Sequence, residues 1–179
     1  MEVYIARHAE TNYNVLNISN DDPSVDVHLT ENGIKQGEEL AEKLKDVELD
    51  LIITSRLPRT KQTAGIVNKY HGVPTIEDAR LDDVHNGFEG RSYVEFKEAR
   101  ASAPDYFSFK INDDAESFLD VKKRTKEFLA DLAIREENVV LVVTSHHNFK
   151  QINGIVNNLT DEQIVYVEAS NASYFKFEV

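Results

Sequence analysis

A chain of 179 residues with a formal net charge of −12 has the length for one domain with a sizeable core, and its acidity argues against a nucleic-acid backbone or an anionic membrane as partner. Its 41% hydrophobic and 29% charged residues are those of an ordinary globular protein, no stretch approaches a membrane span, and Met1 to Arg7 lacks the apolar run of a secretory signal. The lack of cysteine excludes a disulfide framework, a thiolate site and Cys-based zinc binding, and fits a cytoplasmic location.

The first expected strand, Val3 to Ala6, runs into Arg7-His8-Ala9-Glu10-Thr11, with Asn14 just beyond. Thr30 then suits the N-cap of a helix whose apolar stripe is Ile34, Leu40, Ala41, Leu44 and Val47. A second strand, Leu49 to Ile53, leads through Ser55 into a helix running from Pro58 to about Tyr70 and burying Ala64, Val67 and Tyr70. Ser92 to Glu95 has the form of a capping box. The basic residues of this region, Arg91, Lys97, Arg100 and Lys110, are expected mostly on a solvated face, and Tyr106 to Phe109 as core or helix-flanking packing.

A longer helix, Ser117 to Ala133, should bury Phe118, Val121, Phe128, Leu129 and Leu132. Val139 to Thr144 is apolar on both faces, as a central parallel strand requires, and ends in Ser145-His146-His147-Asn148 before a short helix from Phe149 to Asn158. Ser173 to Val179 alternates with period two, as an edge strand does. The expected fold is α/β, a three-layer α/β/α sandwich with a mostly parallel central sheet, in one domain spanning 1–179.

Ligands of such sheets gather outside the carboxyl ends of the strands. There the sequence places Arg7, His8, Arg59, His146 and His147, beside helix N-termini that favour anions. Arg7 and Arg59 can each give a phosphate two parallel hydrogen bonds, which a lysine cannot. Each residue alone has a structural explanation, and His8, Glu10, His146 and His147 are also possible metal ligands. Two arginines in the same site would repel a divalent cation, so no metal and no other cofactor is expected.

Arg7-His8-Ala9-Glu10-Thr11 with Asn14, Leu29-Thr30 with Gly33 and Gln36, Ser55 to Ala64, Glu116-Ser117 and Ser145-His146 follow one another in the order seen in a known family. The chain resembles the histidine phosphatase superfamily, the phosphoglycerate mutase-like fold, over most of its length. The resemblance implies that His8 is a nucleophile that accepts a phosphoryl group and passes it to water. It implies that Arg7, Arg59 and His146 hold the phosphoryl oxygens, with Asn14 a further phosphate contact.

For the acid that protonates the leaving oxygen, the resemblance favours Asp83, which keeps the family's spacings to both Leu81 and Gly87; counting back from Gly90 would select Asp82 instead, and His85 is a third candidate. The chain departs from the family pattern at Ala9, His147 and Asn148, each in place of glycine. His147 is a candidate phosphate contact able to alter substrate choice. With only a short insertion between Gly90 and Glu116, the resemblance implies a phosphatase acting on a small phosphorylated metabolite. A phosphoglycerate mutase-type transferase is the alternative, and a silent phosphate-binding domain ranks behind both. Oligomeric state is left open.

Overall fold

The computed structural model describes residues 1–179. In chain order the elements are β1 (Glu2–Arg7), α1 (Asn12–Leu16), α2 (Glu31–Leu44), β2 (Leu51–Thr54), α3 (Pro58–Asn68) and β3 (Thr75–Glu77), followed by a 3₁₀ turn at Ala79–Leu81. The second half contributes α4 (Tyr93–Ala101), α5 (Phe118–Leu132), β4 (Val139–Thr144), α6 (His146–Val156), α7 (Asp161–Val165) and β5 (Tyr174–Glu178). The strands lie in the order β3-β2-β4-β1-β5. All neighbours are parallel except β5, which closes the β1 edge antiparallel.

Strand periodicity builds the layers, because successive side chains leave opposite faces. Val140 and Val142 of β4 join Val3, Ile5, Leu51 and Ile53 against Phe128 and Leu132 of α5 and Phe149 and Ile152 of α6. Leu141 and Val143 join Tyr4, Ala6 and Ile52 against Leu40, Ala41 and Leu44 of α2 and Ala64 and Val67 of α3. The result is the expected three-layer sandwich, with β4 buried at its centre. No helix is long and apolar enough to cross a membrane.

Several expectations fail locally. Ile34 is 44% exposed, because the buried stripe of α2 begins at Gly33 and Gly37, which press against Glu10 and Ile66, and Ile34 lies at its margin. Tyr70 is exposed because α3 ends at Asn68; its hydroxyl meets Glu42. Ser92 caps through the Val94 N–H, but Glu95 turns to Arg91, so no capping box closes. The helix after β4 starts at His146, three residues early, and so takes both histidines into its first turn. Arg100 is buried rather than solvated, at 6% exposure. The short elements α1, β3 and α7 were not expected.

Candidate active site

Strand register brings the chemistry to one level. Arg7 pairs with Thr144 across β1 and β4, His8 N–H donates to the Thr144 carbonyl at 3.0 Å, and Ser55 N–H donates to the Val143 carbonyl at 3.3 Å. The three strands therefore release His8, Ser55 and Ser145 side by side, and α3 and α6 begin directly beyond. A pocket of about 280 Å³ opens there, and Arg7, His8, Asn14, Arg59, Asp83, His146 and His147 all line it.

His8 is 2% exposed, with Nδ1 2.7 Å from the carbonyl of Ala9. A carbonyl only accepts, so this contact fixes the proton on Nδ1 and leaves the lone pair on Nε2. Arg59 Nε–H donates to that Nε2 at 3.1 Å. Burial, and then the charges of Arg59 and Arg7, hold the imidazole well below its ordinary pKa of 6.5, so it is neutral near pH 7.

Motif residues around His8 brace its loop. The N–H of Ala9 donates to Thr63 Oγ1 at 3.0 Å, that of Glu10 to Gln36 Oε1 at 2.9 Å, and that of Leu29 to Gln62 Oε1 at 2.9 Å. A Cβ at Gly33 would stand 2.0 Å from the Glu10 carbonyl oxygen, so glycine is required by close approach. Ala9 is fully buried and is not among the residues with positive φ, so a methyl replaces glycine there without backbone strain. Its N–H, committed to Thr63, is not free for a ligand.

Arg59 is anchored from its far side by Asn20, whose side-chain and main-chain oxygens accept from Nη1 and Nη2. Arg7 Nη1 donates to the Ala169 carbonyl, while its buried Nε has no partner. Asn14 Oδ1 caps α1 by accepting from Thr11 N–H and also accepts from Asn171 Nδ2, which leaves its own amide hydrogens uncommitted. His146 is pushed down to about 3 by burial, then by His147 and Arg7, and is neutral.

The two adjacent aspartates separate here. Asp83 faces the pocket, with Oδ1 2.8 Å from His147 Nδ1 and Oδ2 3.4 Å from Arg59 Nη2. Asp82 turns away, accepting from Arg56 N–H at 2.8 Å and Arg56 Nε at 2.7 Å, and His85 pairs with Asp21 outside the pocket. Burial alone would raise the Asp83 carboxyl. His147 and then Arg59 outweigh it and hold the group far below the usual carboxylate range. His147 thus spends Nδ1 on Asp83, and its Nε2 lies 3.4 Å from the Tyr93 hydroxyl. Asn148, buried, binds the Arg80 carbonyl. Sequence reasoning missed Asn20, Tyr93 and Asn171, which line the pocket from loops and from α4.

A family model described as histidine phosphatase superfamily (branch 1) matches residues 3–179. A 2,3-bisphosphoglycerate-dependent phosphoglycerate mutase of Rhodococcus jostii (strain RHA1) is 38% identical over 100 residues, covering 52% of this chain and 39% of the mutase. Phosphoserine phosphatase 1 of Hydrogenobacter thermophilus is 29% identical over 153 residues, covering 82% of this chain and 71% of that protein. The matched segment thus spans well under half of the mutase's own length. Among solved structures, YhfR of Bacillus stearothermophilus superimposes with a TM-score of 0.85 at 27% identity, covering 99% of this chain and 91% of that one.

Proposed function

The chain belongs to the histidine phosphatase superfamily, and from that membership and the pocket's geometry we propose that it hydrolyses a small phosphate monoester through a phosphohistidine on His8. The observation that carries this reading is the state of His8: Nδ1 held by the Ala9 carbonyl, Nε2 left with its lone pair beside Arg59. A neutral imidazole so oriented is a nucleophile, and Arg59 Nε–H can move from Nε2 onto a phosphoryl oxygen as phosphorus approaches. The unpartnered Arg7 Nε gains an acceptor from the same group. Asn14 and His146 supply neutral contacts to the remaining oxygens, and the two guanidiniums stabilise charge that spreads in the transition state.

In the first step Nε2 bonds to phosphorus and the bond to the leaving oxygen breaks. Asp83 protonates that oxygen. Because its carboxyl is ionised at rest, we assign its proton to uptake from water on substrate binding: the phosphoryl group draws Arg59 away from Asp83 and sets its own negative charge beside the carboxylate, and both changes raise that carboxyl. In the second step Asp83, again a carboxylate, takes a proton from water as the water attacks phosphohistidine, releasing phosphate. His147 orients Asp83 through its 2.8 Å contact.

The short segment between Gly90 and Glu116 favours hydrolysis over mutase chemistry, which needs a long closure to keep water from a bisphosphorylated intermediate. Rapid quench during p-nitrophenyl phosphate turnover, without added metal, tests the reading. Wild type should yield an acid-labile, alkali-stable phosphoryl adduct mapping to His8. His8→Ala should lose it together with on the order of 10³-fold or more of the rate. Equal rates for the two proteins would sink the assignment.

A further inference from the structure

Next to the phosphate-sized pocket lies a second cavity, of about 440 Å³. Val84, Tyr93, His146 and His147 wall both, so one ligand can occupy the two together. The outer cavity is mostly apolar, with Phe96, Tyr106, Phe118 and Ile164 among its walls. Three cations, Lys97, Arg100 and Lys150, line it, and no aspartate or glutamate does. In a chain of net charge −12 this is the reverse of the average surface.

None of these cations is spent on a carboxylate. Arg100 donates Nε–H to the Tyr106 carbonyl at 3.2 Å and lies 4.0 Å over the Tyr106 ring, while its Nη2 is buried without a partner. Lys150 Nζ donates to the Val165 carbonyl at 2.6 Å, and Lys97 Nζ sits 5.5 Å from the Tyr93 ring centroid. Arg59 and Arg124 by contrast face carboxylates, Asp83 at 3.4 Å and Glu116 at 2.7 Å, and the other guanidinium with an unpartnered buried nitrogen is Arg7 in the phosphate-sized pocket. A buried guanidinium with an open donor is costly unless an anion meets it. Burial first, and then the charges of Arg7 and Arg100, also depress Lys150. Gln151, 2% exposed, adds an acceptor, Oε1, that lacks a donor.

We propose that this outer chamber receives the leaving group of the substrate, and that the leaving group is an apolar or aromatic body ending in a carboxylate held by Arg100 and Lys150. The proposal rests on the phosphatase reading for the identity of the inner end. A carboxylate suits the chamber better than a second phosphate, because a monoanion costs less to strip of water among aromatic walls than a dianion. The planar carboxylate also matches the guanidinium fork. Gln151 Oε1 would take a hydroxyl or N–H on the same body.

Calorimetry with non-hydrolysable phosphonates tests this apart from turnover. The probes are 4-(phosphonomethyl)benzoate, its phenylacetate and phenylpropionate homologues, and the methyl ester of each. At least one acid should bind wild type about tenfold or more tightly than its ester, and that ratio should drop below about threefold in Arg100→Met and in Lys150→Met. Lys150→Met carries the test should Arg100→Met fail to fold. A smaller advantage for every acid, or one that survives the substitutions, overturns the proposal. The matching phosphate esters are assayed in parallel. Phosphonates that bind with this pattern while no ester is cleaved would refute the phosphatase reading and leave the chamber standing.

Discussion

Arg59 donates Nε–H to His8 Nε2 across 3.1 Å while Asn20 holds the other end of the same guanidinium. One side chain therefore aims the imidazole and disfavours its protonation, and in the proposed mechanism it is also a donor to a phosphoryl oxygen.

Arg59→Met should lower kcat/KM for p-nitrophenyl phosphate by about 10²- to 10³-fold. It should also expose an acid limb in the pH profile. Without the Arg59 charge His8 titrates closer to its ordinary value of 6.5 and becomes protonated as pH falls. Profiles from pH 4 to 8 check this; an unchanged shape contradicts it.

Asp83→Asn should act on the leaving group. Turnover of an alkyl phosphate should fall about 10²- to 10⁴-fold, and that of p-nitrophenyl phosphate, whose leaving oxygen needs little protonation, far less. Asp82→Asn removes the charge from the pair with Arg56 and should not produce that selectivity. Rates plotted against leaving-group pKa separate the two.

Removing His147 as Asn takes away a group that lowers the Asp83 carboxyl. That carboxyl then rises and keeps its proton to higher pH. The optimum for alkyl phosphates should move upward while p-nitrophenyl phosphate changes little, which a purely structural role would not produce.

His146 sets a pH dependence of stability. Its value falls from 6.5 in the free side chain to about 3 in the fold. The unfolded chain therefore binds more protons between these values, and the contribution, full above pH 6.5, is lost as pH falls toward 3. Wild type should lose roughly 2 kcal/mol relative to His146→Asn between pH 6.5 and 5, at about 1.4 kcal/mol per unit. Denaturant melts of both proteins at the two pH values measure it.

Gly33→Ala should cost about 1–3 kcal/mol and also activity, since its methyl displaces the Glu10 carbonyl in the loop carrying His8. A variant as stable and active as wild type would show that the loop yields freely.

Much of this was legible in the chain. The strands β1, β2 and β4 announce themselves because they are apolar on both faces, and the motifs at their ends stand at fixed distances from them. β3 was not legible, because Thr75, Ile76 and Glu77 are all exposed and carry no periodic burial. Counting favoured Asp83 over Asp82 on two spacings, but that only Asp83 faces the pocket depends on where Arg56 and His147 lie in space. Arg100 reads as a solvated helix residue because the rings that enclose it, Phe96, Tyr106 and Phe118, assemble only on folding. Asn20 belongs to a loop, and its hold on Arg59 spans 39 positions.

The placement of Arg100 on α4, away from the strand ends that carry His8 and His146, divides the molecule's adaptability unequally. On the proposed reading, variation from Lys97 to Lys110 can retune which ester is accepted while Tyr93, His147 and the strand-end residues keep their places. Diversification of appetite on a constant reaction is therefore cheap in this architecture, and libraries confined to residues 97–110 are the place to redirect it.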